Sequence, residues 1–348
     1  MTQHNNCTQA AHKILAIYTG GTIGMQPVAG KTDMAPAPLA KFLSNVPDCS
    51  ILTGSGDRPR INWVATSELI DSSNVRVSHW QELAAIITSA YVNYDGFVVL
   101  HGTDSMAYTA AALSFAFRGL NKPIVLTGAQ QPQWVQGSDG MDNINLALQA
   151  AMQGTALPEV CIAFGGRVLR GNRAQKVHAS ARMGFDSPNL SPLMYSGKTG
   201  ASGAGQRGPK EQFACNPLFS ASISSLFYTP GMSLQGCITQ LMQEVEGMVL
   251  HSLGSGNLPT DATLLKALKQ ATADGKILLN ITQCQQGRVE PTAYATGASL
   301  AQCGVLNGGD MTVEAATTKL MWALANFPAT ERNAMASYLT TNQAGEML

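Results

Sequence analysis

Short runs of apolar, largely β-branched residues alternate along the chain with longer stretches of helical spacing. Ile14 to Tyr18 runs into Thr19-Gly20-Gly21, Phe97 to Leu100 into His101-Gly102-Thr103-Asp104, Ile124 to Leu126 into Thr127-Gly128, and Val160 to Phe164 into Gly165-Gly166. None of these runs alternates apolar with polar, which is the pattern of strands covered on both faces. Between them, Ser78-His79-Trp80-Gln81 reads as a capping box opening a helix to about Tyr91, and 105–117 and 142–153 carry helical spacing. Strand, glycine-bearing polar loop and helix in repetition predict a parallel sheet.

The pattern breaks at 196–209, a stretch rich in Gly and Ser that reads as a linker or exposed loop. It resumes with strands expected at 223–228, 248–251 and 277–281 and helices at 232–243, 260–273, 313–325 and about 330–338. A length of 348 residues suits two domains. The expected organisation is α/β throughout: a larger N-terminal domain over 1–200 built on a parallel sheet, a linker over 201–220, and a smaller C-terminal α/β domain over 221–348.

Charge narrows the function classes. Lys+Arg and Asp+Glu are both 22, so there is no basic field to neutralise phosphates, and a nucleic-acid partner is not expected. Charged residues are only 13% of the chain, against ~25% in an average soluble domain. Such a weakly charged surface leans towards subunit contacts and an oligomer. No apolar run approaches the ~18–20 residues of a membrane span, so no membrane partner is expected. The start, MTQHNNCTQAAHK, lacks the basic and apolar regions of a signal peptide. Seven Cys, an odd number without CxxC, suit a reducing cytoplasm better than a disulfide framework. The six His do not form the pairs of a zinc site.

Ligands of open α/β sheets bind outside the carboxyl ends of the strands, which selects four polar loops. In Tyr18-Thr19-Gly20-Gly21-Thr22-Ile23-Gly24, paired glycines allow a sharp turn and a close approach to a ligand, with the Thr22 hydroxyl at a strand end. Its plainer reading is a phosphate-cradling turn with Thr22 as a cap. In His101-Gly102-Thr103-Asp104-Ser105, a second threonine precedes a carboxylate, and an N-cap explains it equally well. Asp71-Ser72-Ser73-Asn74 reads as an Asx turn, and Lys176, beyond the strand at 160–164, as an exposed lysine. Taken together they are more than four caps. A threonine hydroxyl needs a base, a lysine held by a carboxylate supplies one, and acyl transfer needs this set plus an oxyanion hole.

At these loops the sequence resembles the bacterial L-asparaginases of the cytoplasmic, type I branch. The resemblance covers essentially the whole chain through TGGTIG at 19–24, HGTDSMAYTA at 101–110, RGNRAQKVHA at 170–179, SPNL at 187–190, TQC at 282–284, YATG at 294–297 and GGDMTVEAA at 308–316. It implies a flavodoxin-like N-terminal sheet and hydrolysis of L-asparagine to L-aspartate and ammonia without metal or cofactor. By position it implies Thr22 as nucleophile, Thr103, Asp104 and Lys176 as a second catalytic group, and Gly21 and Thr103 as the source of oxyanion-hole N–H groups. Asp71, Ser72 and Ser73 are implied to hold the α-carboxylate and α-amino group of the substrate, with Asp104 also on its ammonium. A cytoplasmic homotetramer, a dimer of dimers with sites between one subunit's N-terminal domain and its neighbour's C-terminal domain, is implied too.

Two departures stand out. Many members carry a tyrosine in the loop after TGGTIG, whereas here no Tyr occurs between Tyr18 and Tyr91; Tyr294 is the candidate substitute, a packed tyrosine the plainer reading. Some cytoplasmic members bind a regulatory asparagine at loops matching His251, Asn257, Thr282 and Cys284, and His251 stands where those proteins have an arginine. A neutral imidazole binds a carboxylate more weakly, so reduced cooperativity is expected. Asparagine and glutamine differ by one methylene, worth only ~1–3 kcal/mol in a simple pocket, so a dual glutaminase-asparaginase stays open as an alternative.

Overall fold

The apolar runs form the centre of a seven-stranded sheet. In this computed structural model, residues 12–28, 34–46, 59–197, 212–290 and 295–348 are described. The strands are β1 (Lys13–Gly20), β2 (Arg60–Ile70), β3 (Gly96–Leu100), β4 (Ile124–Thr127), β5 (Val160–Phe164), β6 (Arg167–Arg170) and β7 (Met194–Tyr195). They lie in the order β7-β6-β5-β4-β3-β1-β2, parallel from β5 to β2, with β6 and β7 added antiparallel. The run β2-β1-β3-β4-β5 is flavodoxin-like winding, and its direction reverses between β1 and β3. The α/β class expected from the pattern is therefore the one observed.

Helices cover both faces of this sheet, as continuous apolar strands require. On one face Ile14, Tyr18, Val98, Leu100 and Val125 pack against Ile144, Ala147 and Leu148 of α3 (Gly140–Ala151). On the other face Leu15, Ile17, Phe97, Val99 and Leu126 meet Leu83 and Ile87 of α1 (Val77–Ala90) and Ala110 and Leu113 of α2 (Met106–Ala116). Neighbouring residues of each strand thus face opposite cores.

The second domain is a four-stranded parallel sheet in sequence order: β8 (Ile223–Phe227), β9 (Gly247–Ser252), β10 (Ile277–Thr282) and β11 (Leu306–Asn307). One face packs on α4 (Leu234–Leu241) and α5 (Ala262–Ala273). The other packs on α7 (Val313–Asn326), which follows α6 (Ala295–Gln302) and precedes α8 (Arg332–Thr340). Helix α7 also lies on α2 of the first domain. Ala111, Ala112, Phe115 and Ala116 of one helix share a core with Ala315, Ala316, Leu320 and Ala323 of the other. The alanines let the two backbones approach, and α2 is buried nearly all round.

The structure differs from the sequence expectation at five places. Strand β2 is not marked by an apolar run, because it is an edge strand whose residues are mostly half-buried or exposed. Strand β6 and helix α6 are also elements that the apolar pattern does not mark. Helix α1 begins at Val77, one residue before the expected cap: the His79 ring Nδ1 accepts from the Arg76 N–H at 2.9 Å, so histidine takes the place of the usual Glu or Gln of a capping box. Within the stretch read as a linker, Ala214–Cys215 pairs with Phe117–Arg118, and Phe213 stacks on Tyr91 at 3.7 Å; residues 198–211 lie outside the described ones.

The last residues of the chain fasten the two domains. Lys319 of α7 and Glu346 are both fully buried and 2.5 Å apart. The Lys319 ammonium also donates to the carbonyls of Leu339 (3.1 Å) and Thr341 (2.7 Å), and Glu346 accepts from the Gln343 and Ala344 N–H groups. From the first domain, Asn172 donates to the Ala344 carbonyl and Arg173 to the Glu346 carbonyl. Removing one partner strands a buried charge. Lys319→Met or Glu346→Gln should each lower the unfolding free energy by about 3–5 kcal/mol, and Lys319→Met combined with Glu346→Leu should recover part of the loss. Denaturant titration of the three variants checks this; a double variant no better than the singles would show that the charges are not what binds the tail.

Candidate active site

The loops after β1, β2 and β3 meet where the winding direction reverses. Gly20 and Gly21 have φ of +100° and +75°, which side chains other than glycine rarely adopt. A Cβ on Gly21 would lie 2.4 Å from the Gly102 nitrogen, and one on Gly102 would lie 2.5 Å from the Ser72 Oγ. The three loops therefore touch with nothing between them. The Gly21 N–H donates to the Ile70 carbonyl at 3.0 Å, which ties the first loop to the end of β2. Thr22 follows directly. It opens the short turn Thr22–Gly24, is half-buried, and has no side-chain hydrogen bond among the described residues.

The second loop is held from below. His101 is buried, and burial pushes its imidazole down to about 4. Its Nδ1 lies 2.8 Å from the Gly102 carbonyl, which can only accept, so Nδ1 carries the proton. Its Nε2 then accepts from the Thr109 hydroxyl at 3.0 Å, and that hydroxyl accepts from the Trp80 indole N–H at 3.0 Å. One unbroken donor order runs from α1 through α2 to the loop backbone. Ser72 closes the other side: its Oγ accepts from the Asp104 N–H at 3.1 Å, and its carbonyl accepts from the Ser105 hydroxyl at 2.6 Å.

Lys176 reaches this loop from the segment after β6. Its ammonium donates to the Thr103 Oγ1 at 2.9 Å and the Asp104 Oδ1 at 2.7 Å. Thr103 is buried, Lys176 half-buried and Asp104 exposed. A buried hydroxyl, an ammonium and a surface carboxylate thus form one connected group beside the Gly21–Thr22 turn. Asp71 and Ser73 are exposed on the third loop, where the Asp71 Oδ1 accepts from the Ser73 N–H at 3.1 Å and caps the turn Ser72–Asn74. The structural reading of Asp71 as an Asx cap is realised, and its exposed carboxylate still lies at the rim.

Residues 13–204 match the family model for the asparaginase N-terminal domain, and residues 222–335 match that for the glutaminase/asparaginase C-terminal domain. The chain belongs to the asparaginase family. It is 38% identical over 342 residues to L-asparaginase 1 of Escherichia coli K12, covering 94% of this chain and 96% of that protein. The crystal structure of L-asparaginase I from Vibrio cholerae superposes with a TM-score of 0.83 at 37% identity, over 97% of this chain and 100% of that one. The thermostable L-asparaginase of Thermococcus kodakarensis gives 0.86 at 29% identity, over 97% and 99%.

Eight of the sequence-selected asparaginase residues lie on these adjoining loops and the segment that reaches them: Gly21, Thr22, Asp71, Ser72, Ser73, Thr103, Asp104 and Lys176. Tyr294 lies outside the described residues. His251, Asn257, Thr282 and Cys284 form a separate group at the carboxyl edge of the second sheet. There Ser252 pairs with Thr282, the Thr282 hydroxyl donates to the Gly254 carbonyl at 2.5 Å and accepts from the Cys284 N–H at 2.9 Å, and Leu253 bridges to Asn257. His251 is buried, and burial lowers its pKa, so it carries no charge there at neutral pH. Among the described residues no group of three or more His, Cys, Asp and Glu could hold a metal ion. The His101–Thr109–Trp80 chain is absent from the sequence reading. His101 and Thr109 are 8 residues apart, and packing of α1 on α2 brings in Trp80, 29 residues from Thr109.

An imidazole held neutral in the fold has a definite effect on stability. Between pH 6.5 and about 4 the unfolded chain takes up a proton at His101 that the folded chain does not, so stability falls as pH is lowered through that window. The loss should be about 3 kcal/mol. The difference in unfolding free energy between wild type and His101→Gln, followed from pH 7 to 4, should shrink by that amount; a constant difference would mean that His101 titrates normally.

Proposed function

We propose that the chain hydrolyses the side-chain amide of L-asparagine to L-aspartate and ammonia, with Thr22 as the nucleophile. The observation that carries the reading is the Lys176 ammonium bound at once to Thr103 and Asp104, on a loop whose backbone touches the Gly21–Thr22 turn. The names of its relatives support the substrate class. In this reading the Thr22 Oγ attacks the amide carbon, and its proton passes to the departing ammonia. Backbone N–H groups near Gly21 and Thr103 stabilise the oxyanion. A water held by Thr103 and Lys176 then attacks the aspartyl ester on Thr22, and its proton passes to the Thr22 Oγ as the acyl–oxygen bond breaks, which releases L-aspartate and restores the hydroxyl. All the groups needed are the protein's own, so neither metal nor cofactor takes part.

Asp71, Ser72 and Ser73 hold the α-carboxylate and α-amino group, and Asp104 also faces the substrate ammonium. Asp71, Ser73 and Asp104 are exposed in the single chain, so a neighbouring subunit's C-terminal domain completes the wall of the site in a homotetramer. The side chains of Cys161, Cys237 and Cys303 are buried, which suits a cytoplasmic protein.

Ammonia release from L-asparagine and L-glutamine tests the reading. Thr22→Ala and Lys176→Met should each lower kcat on L-asparagine by at least about a hundredfold, the range of a lost nucleophile or of a lost group at the attacking water. Turnover surviving in Thr22→Ala would remove that threonine from the covalent step, and equal turnover of glutamine would make the enzyme dual-specific. The uncharged, buried His251 leads to a second expectation. The rate should rise hyperbolically with L-asparagine, and a clearly sigmoidal curve would mean that the second-sheet loops bind a regulatory asparagine after all.

A further inference from the structure

Glu314 is a buried carboxylate that the proposed chemistry does not use. It stands in the first turn of α7, in the C-terminal domain, and is 6% exposed. Its Oε2 accepts from the Gln175 Nε2 at 3.3 Å. Gln175 and Lys176 are consecutive residues of a two-residue strand, so their side chains leave the backbone on opposite sides. One side chain is fastened to α7 and the next reaches Thr103 and Asp104. The strand is otherwise held by pairing with Phe185–Asp186, whose Phe185 ring meets Phe164 edge-on at 5.0 Å.

We propose that Glu314 is a positioning residue for Lys176, acting through Gln175, so that the C-terminal domain sets the geometry of the Thr103–Asp104–Lys176 group in its own chain. The inference rests on the reading of Lys176 as a group that holds the attacking water. Charges on the elements packed around Glu314 are engaged elsewhere. Arg173 pairs with Asp310 at 2.7 Å, Lys319 with Glu346, and Lys176 with Asp104. Tyr108, on the facing side of α2, has its hydroxyl pushed up to about 12 by burial and by Glu314. The neighbours that hydrogen-bond the Glu314 side chain, Gln175 and Thr312, are neutral. Burial pushes Glu314 up to about 7, and among the described residues no cation offsets it. Ionised, it is a full acceptor for Gln175; protonated, it holds Gln175 less firmly, and the anchor of Lys176 loosens as pH falls.

The test measures kcat and KM for L-asparagine from pH 5 to 9 in wild type, Glu314→Gln, Glu314→Ala, Gln175→Ala and the double alanine variant. Glu314→Ala and Gln175→Ala should each lower kcat about tenfold at pH 8 with KM within about threefold, and the double variant should be no worse than the poorer single one. Glu314→Gln keeps the shape and the acceptor without the titration, so the part of the acid limb centred near pH 7 should vanish from its profile. If Glu314→Ala fails to fold, this profile decides alone, and an unmoved limb overturns the proposal. Additive losses from the two alanine changes overturn it as well. Acetylation of Lys176 by an N-hydroxysuccinimide ester, read by peptide mass spectrometry, gives a result even if wild type hydrolyses no amide. The rate should rise severalfold in Gln175→Ala, and an unchanged rate would show that Gln175 does not hold Lys176.

Discussion

Helix α2 is buried on two sides, by the sheet of its own domain and by α7 of the other, and the parts of the site are placed relative to its first turn. Its alanines are what allow this. Larger residues at 111, 112 or 116 would push the domains apart, and the first turn would no longer be fixed against both. The Thr103–Asp104 loop runs directly into that turn. Thr109, one turn further on, relays the hydrogen bond from Trp80 to His101 and so to the backbone of the same loop. The position of a surface carboxylate is thus decided by the buried core between α2 and α7.

Glycine has a second role at the switch point. Adjacent parallel strands bring their loops close, and a ligand bound between them needs the loops closer still. At Gly21 and Gly102 the backbones are in contact, and any Cβ would separate them. That contact sets Thr22 beside the loop carrying Thr103 without any side-chain bond to Thr22 among the described residues. A hydroxyl left without an internal partner is available to a substrate, whereas a capping threonine would be occupied.

Charge is used sparingly, and part of it is buried. The chain has equal numbers of acidic and basic residues, and several of them are spent on buried or partly buried pairs: Arg173 with Asp310 and Lys319 with Glu346 fully inside, and Arg170 with the half-buried Glu159. These pairs surround the segment from Gly171 to Lys176 and the C-terminal tail. Each is costly to desolvate and costlier to break, so the pairs resist displacement of the segment that carries Lys176.

By itself the sequence determined the α/β class, the strands at the centre of the first sheet, and which loops leave their carboxyl ends. These follow from local properties: apolar runs need two covered faces, and Gly-Gly or Gly-Thr after a strand needs a turn. Edge strand β2, reversed strand β6 and helix α6 were not legible, because the apolar pattern does not mark them. Local pattern does not say which polar residues meet: family resemblance alone implied the Thr103–Asp104–Lys176 group, and tertiary structure decided the rest. Lys176 lies 72 residues from Asp104, Thr109 meets Trp80 across two helices, and Gln175 meets Glu314 across the domain boundary. No spacing encodes those meetings, since each depends on how separate helices pack, and packing is settled by the whole core at once.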